Sequence, residues 1–265
     1  MERSMQSMLA MLLLLLVIAP RIDAFSITRR DALLAGSIAA GSALMKPTEE
    51  AWAKTDIKED ALTGPPERQD LLRAIKSRAS DDEVAAKIAA LENLNPSNGN
   101  GATSSALGGK WELIYSVNAE AFSPLLNLPA PIRPTSLQLL GEEAASEVGA
   151  GRVAQVLNFP IVPLSLVLSS GAVPVPTDST TLEIFPPFRL EAKAGKSLRY
   201  QIVESGSDAD FRALNARDED AQAAGRNMYK QRYLETTGKA GDLRISEVVS
   251  GDPVIVGEVF IHKRL

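Results

Sequence analysis

The sequence predicts a mainly β protein, an antiparallel β-barrel preceded by an N-terminal helical hairpin. From about residue 110 onward, apolar and polar side chains alternate with the two-residue period of strands. Seven or eight short strands are expected, separated by turns rich in glycine and proline. Before residue 95 the period is helical instead, and no helical pattern is expected beyond Leu94.

The first 24 residues have the anatomy of a secretory signal peptide. Arg3 precedes a leucine-dominated run, Leu9 to Ala19, and the segment ends in the small-residue exit Ile22-Asp23-Ala24. The run is shorter than the ~20 apolar residues that a membrane-spanning helix needs. Cleavage after Ala24 is therefore favoured over a retained anchor.

Residues 25–53 carry a second export signal. The pair Arg29-Arg30 precedes a weakly apolar stretch, Ala32 to Met45, and Pro47 and the exit Ala51-Trp52-Ala53 follow it. This order is typical of a twin-arginine signal. The alternative is a chance arginine pair in front of an amphipathic helix.

Two export signals in tandem imply one membrane system inside another. With the Ala24-Phe25 junction and a short transit segment between the signals, the order resembles the presequence of a nucleus-encoded protein of an alga with a secondary red-type plastid. That resemblance implies delivery to the thylakoid lumen, with a mature chain that begins near Lys54. A mature N-terminus near Phe25 would favour the plastid stroma and its plastoglobules instead.

Composition excludes several classes of chemistry. The chain carries a formal net charge of −5, and an acidic chain is a poor candidate for nucleic-acid binding, which depends on neutralising phosphates. It has no cysteine, which excludes disulfides, thiolate metal sites, iron–sulfur clusters and a cysteine nucleophile. A single histidine, His262, excludes a multi-histidine metal site. We therefore expect no metal, no cofactor and no catalytic residues.

The helical hairpin is predicted over residues 66–94, after a polar and flexible leader at residues 54–64. Pro65-Pro66 suits the first turn of one helix. Ser80-Asp81-Asp82-Glu83 forms a capping box for a second helix, which Asn95-Pro96 ends. Apolar residues at helical spacing give the pair one apolar face.

The barrel is predicted over residues 110–264. In its first strand Trp111, Leu113 and Tyr115 fall on one face by alternation. The expected strands cover residues 110–117, 151–159, 180–185, 188–193, 197–204, 228–236, 243–249 and 254–263. This count suits a barrel of about eight strands, whose interior is filled by side chains or holds one small ligand. The rival architecture is a two-sheet sandwich.

Residues 161–176 carry no charge and contain prolines at 163, 174 and 176, which we expect to prevent a long central strand or a buried helix. One interpretation is an edge strand with a covered loop. The other is an apolar lip at the barrel mouth that contacts a membrane or admits an oily ligand. The candidate membrane-contact residues are Ile161, Val162, Leu164, Leu166, Val167 and Leu168.

Several segments are similar to the plastid lipid-associated protein family, the plastid fibrillins. They are R-Q-D-L-L-R-A-I at 68–75, L-E-N-L-N-P at 91–96, G-K-W-E-L-I-Y-S at 109–116, G-R-V-A-Q-V-L at 151–157, Y-L-E at 233–235, L-R-I-S at 243–246 and V-F-I-H-K-R at 259–264. The order of the segments carries the resemblance, which covers a domain over residues 65–265.

The resemblance implies a lipocalin-like barrel that binds or organises plastid lipids and isoprenoids such as quinones, tocopherols or carotenoids. It also implies association with plastoglobules or thylakoid membranes. The chain departs from the family pattern near its end. Glu235 stands where members have an aspartate, a T-T-G-K-A-G-D insert follows it, and Glu247 follows Ser246 where members have an arginine-glycine turn. These departures indicate a divergent branch.

Four residues are candidates for contact with a ligand. Trp111 and Tyr115 line a cavity if the barrel is open, and are ordinary core aromatics if it is filled. Arg199 and Arg244 alternate with apolar residues, so each lies on a solvated outer face or points inward. An inward arginine would need a partner and would suit a carboxylate, a quinone oxygen or a lipid headgroup. His262 is either structural or a sensor of lumenal acidity.

Three hypotheses of function remain from the sequence. The first is non-enzymatic binding or transport of a hydrophobic lipid or isoprenoid, with peripheral membrane contact. The second is a solidly packed barrel that coats the thylakoid or plastoglobule membrane through residues 161–176. The third, an enzyme acting on such a lipid, has no catalytic constellation to support it.

Overall fold

The computed structural model describes residues 57, 62–117, 124–195, 198–205, 226–251 and 255–265. These residues form a mainly β fold in which two helices precede a closed antiparallel barrel of eight strands. The mainly β class and the closed barrel of about eight strands are thereby confirmed. The predicted presequence, residues 1–53, lies outside the described residues.

The barrel closes because its first and last strands pair with each other. The strands of the described residues are β1 Gly109–Ser116, β2 Thr135–Leu140, β3 Arg152–Asn158, β4 Leu164–Val175, β5 Asp178–Ala194, β6 Leu198–Ser205, β7 Asn227–Leu234, β8 Leu243–Ser250 and β9 Val259–Arg264. Around the barrel the order is β1, β2, β3, β4, β5, β7, β8 and β9, and β9 pairs with β1. Closure excludes the two-sheet sandwich.

β5 is 17 residues long and changes partner along its length. Residues 181–184 pair with β7, whereas residues 188–194 pair with β6. Pro186 and Pro187 lie between the two pairings, so neither ladder needs a backbone N–H from them. One continuous strand therefore replaces the two predicted at 180–185 and 188–193. We call the sheet formed by residues 164–169 of β4, 188–194 of β5 and all of β6 the extension.

Two helices, α1 Pro66–Ser77 and α2 Asp81–Glu92, pack on the outside of the barrel. The Ser80 hydroxyl accepts a hydrogen bond from the Glu83 amide at 3.3 Å, as the capping box predicts. The apolar helix residues pack with side chains of β1, β7, β8 and β9, namely Ile114, Tyr233, Leu243, Ile245 and Ile261. No helix in the described part of the chain is long and apolar enough to span a membrane.

A partly buried ion pair connects α1 to the turn between β7 and β8. Arg68 Nε lies 2.9 Å from Glu235 Oε1, and Arg68 Nη2 donates to the Gly241 carbonyl at 2.6 Å. The other oxygen of Glu235 accepts from the Leu243 amide at 2.8 Å. Glu235 therefore has a structural role in this chain.

Two neighbouring elements, β2 and a third helix, differ from the sequence prediction. β2 is missed because Leu137 and Leu139 pack under a third helix, while Leu140 joins the barrel interior. Burial on both sides removes the clean alternation that identifies a strand. The third helix, α3 Glu142–Val148, contradicts the expectation of no helix beyond Leu94. Its seven residues are too few for a clear helical period.

β4 corrects the prediction for residues 161–176. It is a strand of 12 residues, Leu164–Val175, paired with β3 on one side and β5 on the other. Two predictions are therefore wrong: that this segment forms an edge strand, and that its prolines prevent a long central strand. Pro163 precedes the strand, Pro176 follows it, and Pro174 lies at a register shift against β5. At such positions a proline removes little from the ladder.

Candidate functional site

Trp111 occupies the centre of an apolar cluster inside the barrel. The cluster draws side chains from β1, β2, β3, β5 and β7, which can meet only in the interior: Trp111, Leu140, Val153, Leu182, Ile184 and Leu234. Ala102 and Leu107 join it from the segment before β1. The Trp111 Nε1–H donates to the Leu107 carbonyl at 2.9 Å. This segment therefore covers one end of the barrel, which we call the Trp111 end.

Two guanidinium groups flank the Trp111 ring. The Arg264 Cζ lies 4.2 Å and the Arg244 Cζ 5.2 Å from the ring centroid, within the range of cation–π attraction. Both arginines are buried. Trp111 thus lies inside the barrel, between two buried cations, and is the most buried of the four candidates for ligand contact.

Arg264 is held by the fold. Its Nη1 donates to the Gly108 carbonyl at 2.6 Å and its Nη2 donates to the Ala106 carbonyl. Its Nε lies 3.7 Å from the carboxylate of Asp242, which is also buried. Gly109 has φ 142°, and a Cβ at that position would collide with the Arg264 guanidinium. Glycine here allows Arg264 to pass over the start of β1.

Arg244 points into the barrel, the less common of the two placements that the sequence allowed. It lies between Leu243 and Ile245, which face the helices, and its own side chain is only 1% exposed. Its Nη2 donates to the Gln138 side-chain carbonyl of β2. No ion pair of Arg244 occurs among the described residues, and its Nε has no hydrogen-bond partner.

Further polar atoms lie near Arg244 on the same wall of the barrel. His262 is the cross-strand neighbour of Arg244, and Ser116 is the neighbour of Phe260, two residues before His262. The His262 Nδ1 and Ser116 Oγ are buried without a hydrogen-bond partner, and so is the Gln231 Oε1 on β7. Burial and the Arg244 cation lower the pKa of His262 far below its usual value. A neutral imidazole is not a sensor of lumenal acidity.

Sequence reasoning missed Gln138, Ser116 and Gln231, and it gave His262 no place in a site. The segment V-F-I-H-K-R does contain a signal, because alternation puts Phe260, His262 and Arg264 on one face. That signal identifies a shared face without showing that the face is the interior.

Tyr115 and Arg199 lie away from the interior. A bulge between Leu113 and Tyr115 turns Tyr115 to the outer face, where its hydroxyl lies 2.9 Å from Asp81 of α2. The prediction that Trp111 and Tyr115 share a face is therefore wrong. Burial, together with Asp81, raises the pKa of the Tyr115 hydroxyl. Arg199 is on the outer face of the extension, 2.7 Å from Glu147 of α3.

The inner face of the extension continues the barrel interior as an apolar row. Leu157 of β3, Leu166 of β4, Ala192 of β5 and Tyr200 of β6 are successive cross-strand neighbours. They are 7%, 5%, 6% and 62% exposed in that order. Two residues nearer the β5–β6 turn, on the same face as Tyr200, Leu198 is 65% exposed. The row therefore begins buried and ends on an exposed apolar surface.

The candidate membrane-contact residues are divided between the surface and the interior. Ile161 is 66% exposed, and Val162, Leu164 and Leu168 are half-buried. Leu166 and Val167 are buried, Leu166 on the inner face and Val167 under α3. Contact of Leu166 and Val167 with a membrane does not fit this burial.

Ile161 lies in the loop before β4 and Leu198 is the first residue of β6, and the two segments adjoin at one tip. The Gly195 amide, at the β5–β6 turn, donates to the Pro163 carbonyl at 2.8 Å. This tip and the exposed part of the extension define the extension end of the barrel, opposite the Trp111 end.

A polar cleft of about 250 Å³ lies outside the barrel between α3 and the sheet. It is lined by Lys110, Lys193 and Glu147 among others, and Glu147 is already paired with Lys193 at 2.7 Å. Among the described residues no group of three or more histidine, aspartate or glutamate side chains could hold a metal ion. No protein-family model matches the chain, and no curated protein or solved structure matches it significantly.

Proposed function

We propose that the protein binds or transports a hydrophobic plastid lipid or isoprenoid, such as a quinone, a tocopherol or a carotenoid, without converting it. The ligand lies along the inner face of the extension and reaches toward the barrel interior. The proposal rests on the apolar row of the extension, from Leu157 to Tyr200, which begins buried and ends exposed. Burying an exposed apolar face of this kind against an oily chain gains about 25 cal/mol per Å², and polar groups at one end give orientation.

The proposal also includes a protein family and a subcellular location. The order of the segments that resemble plastid fibrillins supports a lipocalin-like fold of that family. The closed barrel with two helices before it is compatible with such a fold. The tandem export signals support a thylakoid-lumen location, with the stroma and its plastoglobules as the alternative. Mass spectrometry of the mature protein tests the location. An N-terminus near Lys54 is expected, and one near Phe25 would assign the protein to the stroma.

Tryptophan fluorescence tests the binding site. Trp52 and Trp111 are the two tryptophans of the chain. Trp52 lies in the predicted presequence, so in the full-length chain a Trp52→Phe background makes Trp111 the single reporter. Titration with a plastoquinone or α-tocopherol analogue is expected to change Trp111 emission. Changing Leu198 and Tyr200 together to serine is expected to weaken the affinity about tenfold or more, because two large apolar contacts are lost.

The matched control changes two exposed leucines elsewhere, Leu94 and Leu265, to serine. They are 44% and 50% exposed and lie away from the extension. These changes are expected to leave the affinity within about twofold. If no apolar probe changes Trp111 emission and no lipid co-purifies with the protein, the binding proposal is wrong.

A second function, peripheral contact with a membrane, is favoured by the exposed tip. Ile161 and Leu198 are the two most exposed large apolar side chains at the extension end. Flotation with galactolipid liposomes is expected to decrease in an Ile161→Ser variant while the affinity for a soluble ligand is retained. A coat protein without an internal site would instead float and show no saturable binding.

A further inference from the structure

No carboxylate in the described part of the chain pairs with the charge of Arg244. The guanidinium is buried, and its hydrogen bond to Gln138 and its contact with Trp111 involve neutral groups. Burial, together with the nearby Arg264 cation, lowers the pKa of Arg244 to about 9. Placing a cation in a low-dielectric interior costs several kcal/mol unless an anion is near. An anion at this position would therefore bind strongly.

Arg264 shows what a structural arginine looks like in the same interior. Its charge is opposed by the Asp242 carboxylate, and two of its nitrogens donate to backbone carbonyls. Arg244 has one hydrogen bond to a side-chain amide. Since Arg264 and Asp242 balance each other, the two arginines and Asp242 together leave one net positive charge among the described residues of the barrel interior.

The hydrogen-bonding groups around Arg244 fit the same anion. The His262 Nδ1 and the Ser116 Oγ lie on the wall formed by β1, β8 and β9, and each can donate a hydrogen bond. Phe260 lies between them and is 6.4 Å from the His262 ring, measured between centroids. The wall therefore combines a cation and neutral donors with an apolar surface.

We propose that this wall binds the carboxylate of a single-chain anionic lipid, a long-chain fatty acid, with Arg244 as its ion-pair partner and His262 as a neutral hydrogen-bond donor. The inference rests on the proposed function, because the chain of the fatty acid occupies the apolar row of the extension. One net positive charge matches a monoanion, whereas a phosphate monoester would bring a second negative charge that nothing balances. A neutral quinone or tocopherol would leave the Arg244 charge as it is.

Paired probes test the proposal in the full chain. Oleate and oleyl alcohol have the same apolar chain and differ in charge, so their affinities are compared by Trp111 emission in the Trp52→Phe background. Oleate is expected to bind about ten- to a hundredfold more tightly than oleyl alcohol, because hydrogen bonds to charged groups are the strong ones. In Arg244→Met the preference is expected to disappear, with oleyl alcohol bound as in the unchanged protein.

The control variant is Arg189→Met. Arg189 also lies on a strand, but on the outer face of the extension, 2.8 Å from Glu204. The preference for oleate is expected to stay within about twofold of the unchanged protein. A preference lost equally in both variants would overturn the assignment to Arg244.

A second measurement needs no variant. Oleate labelled with ¹³C at its carboxyl group is expected to keep the chemical shift of an ionised carboxylate when the bound complex is taken below pH 4, because a buried cation favours the ionised form. Equal affinity for oleate and oleyl alcohol, or a bound carboxyl group that titrates as in detergent micelles, would overturn the carboxylate site and leave the proposed function standing. Absence of binding by both probes would overturn both.

Discussion

The two ends of the barrel are built from different chemistry. At the Trp111 end, indole, guanidinium and backbone carbonyl groups interlock, and the segment before β1 covers them. At the extension end, Ile161, Leu198 and Tyr200 present apolar side chains to solvent. An exposed apolar surface costs free energy in water, whereas the buried network at the other end holds strands and loop together. The difference indicates that the Trp111 end stabilises the fold, while the extension end is where the proposed function places the ligand.

The largest loss of stability is expected from Trp111→Ala. Removing the indole leaves a large cavity, a carbonyl of Leu107 without its donor and two cations without their aromatic partner. The free energy of unfolding is expected to decrease by about 3–5 kcal/mol, measured by urea denaturation followed by circular dichroism. Tyr200→Ala at the other end is expected to change it by less than about 0.5 kcal/mol. Similar losses in both variants would remove the contrast between the ends.

The next comparison uses the two buried arginines, which have the same charge and different partners. Arg264→Met removes the nearest cation of the Asp242 carboxylate and leaves two backbone carbonyls without their donor. We expect a loss of about 2–4 kcal/mol in the free energy of unfolding. Arg244→Met removes a charge that no described carboxylate balances, so a change within about 1 kcal/mol, including a gain, is expected. The measurement is again urea denaturation.

A large loss in Arg244→Met would contradict this contrast between the two arginines. It would show that Arg244 is balanced within the fold, and the proposed carboxylate site would lose its main support. Adding oleate sharpens the comparison, because the ligand is expected to raise the melting temperature of the unchanged protein more than that of Arg244→Met.

A smaller loss of stability is expected when the contact between α1 and the barrel is removed. Arg68→Met removes the ion pair with Glu235 and the hydrogen bond to the Gly241 carbonyl. We expect the free energy of unfolding to decrease by about 2 kcal/mol, since the pair is partly buried. Hydrogen exchange is expected to speed up in α1 before it does in the barrel strands. The exposed pair of Arg73 with Asp70 is the control, and Arg73→Met is expected to change little.

Much of the barrel could be predicted because its strands follow simple rules. β1, β3, β6, β7 and β8 lie where alternation and turn residues predict them. β2 and α3 were missed because α3 buries the outer face of the sheet, so Leu137 and Leu139 are as apolar as the interior residues. A sequence shows period and polarity, but it does not show which further element will cover a face.

The same cause limited the prediction of the site. Alternation placed Arg244 on the opposite face from Leu243 and Ile245, and apolar residues usually mark the core. Here those residues face α1 and α2, while the polar residues of β8 face the interior. The bulge after Leu113, which redirects Tyr115, has no glycine or proline to indicate it. Long-range contacts decide both points, and a local pattern does not contain them.

The smallest effect on stability is expected from a comparison of two carboxylates, one at each end of the barrel. Asp178, at the turn into β5, accepts hydrogen bonds from the Thr180 amide at 2.8 Å and from the Thr180 and Thr181 hydroxyls, each at 2.6 Å. These bonds lower the pKa of Asp178 to about 2. Because the folded-state pKa is below the unfolded one, the stabilisation is present above about pH 4 and is lost as the pH falls toward 2.

Asp178→Asn is therefore expected to decrease the free energy of unfolding by about 1 kcal/mol at pH 7, with the difference from the unchanged protein disappearing near pH 2. Glu204→Gln at the extension end is the matched variant. The hydrogen bond from Arg189 lowers the pKa of Glu204, so any difference also diminishes toward acid, but an exposed pair contributes less than about 0.5 kcal/mol. Urea denaturation between pH 2 and 7 measures both. If Glu204→Gln costs as much as Asp178→Asn, carboxylates stabilise the two ends equally, and the contrast between the ends is limited to the barrel interior.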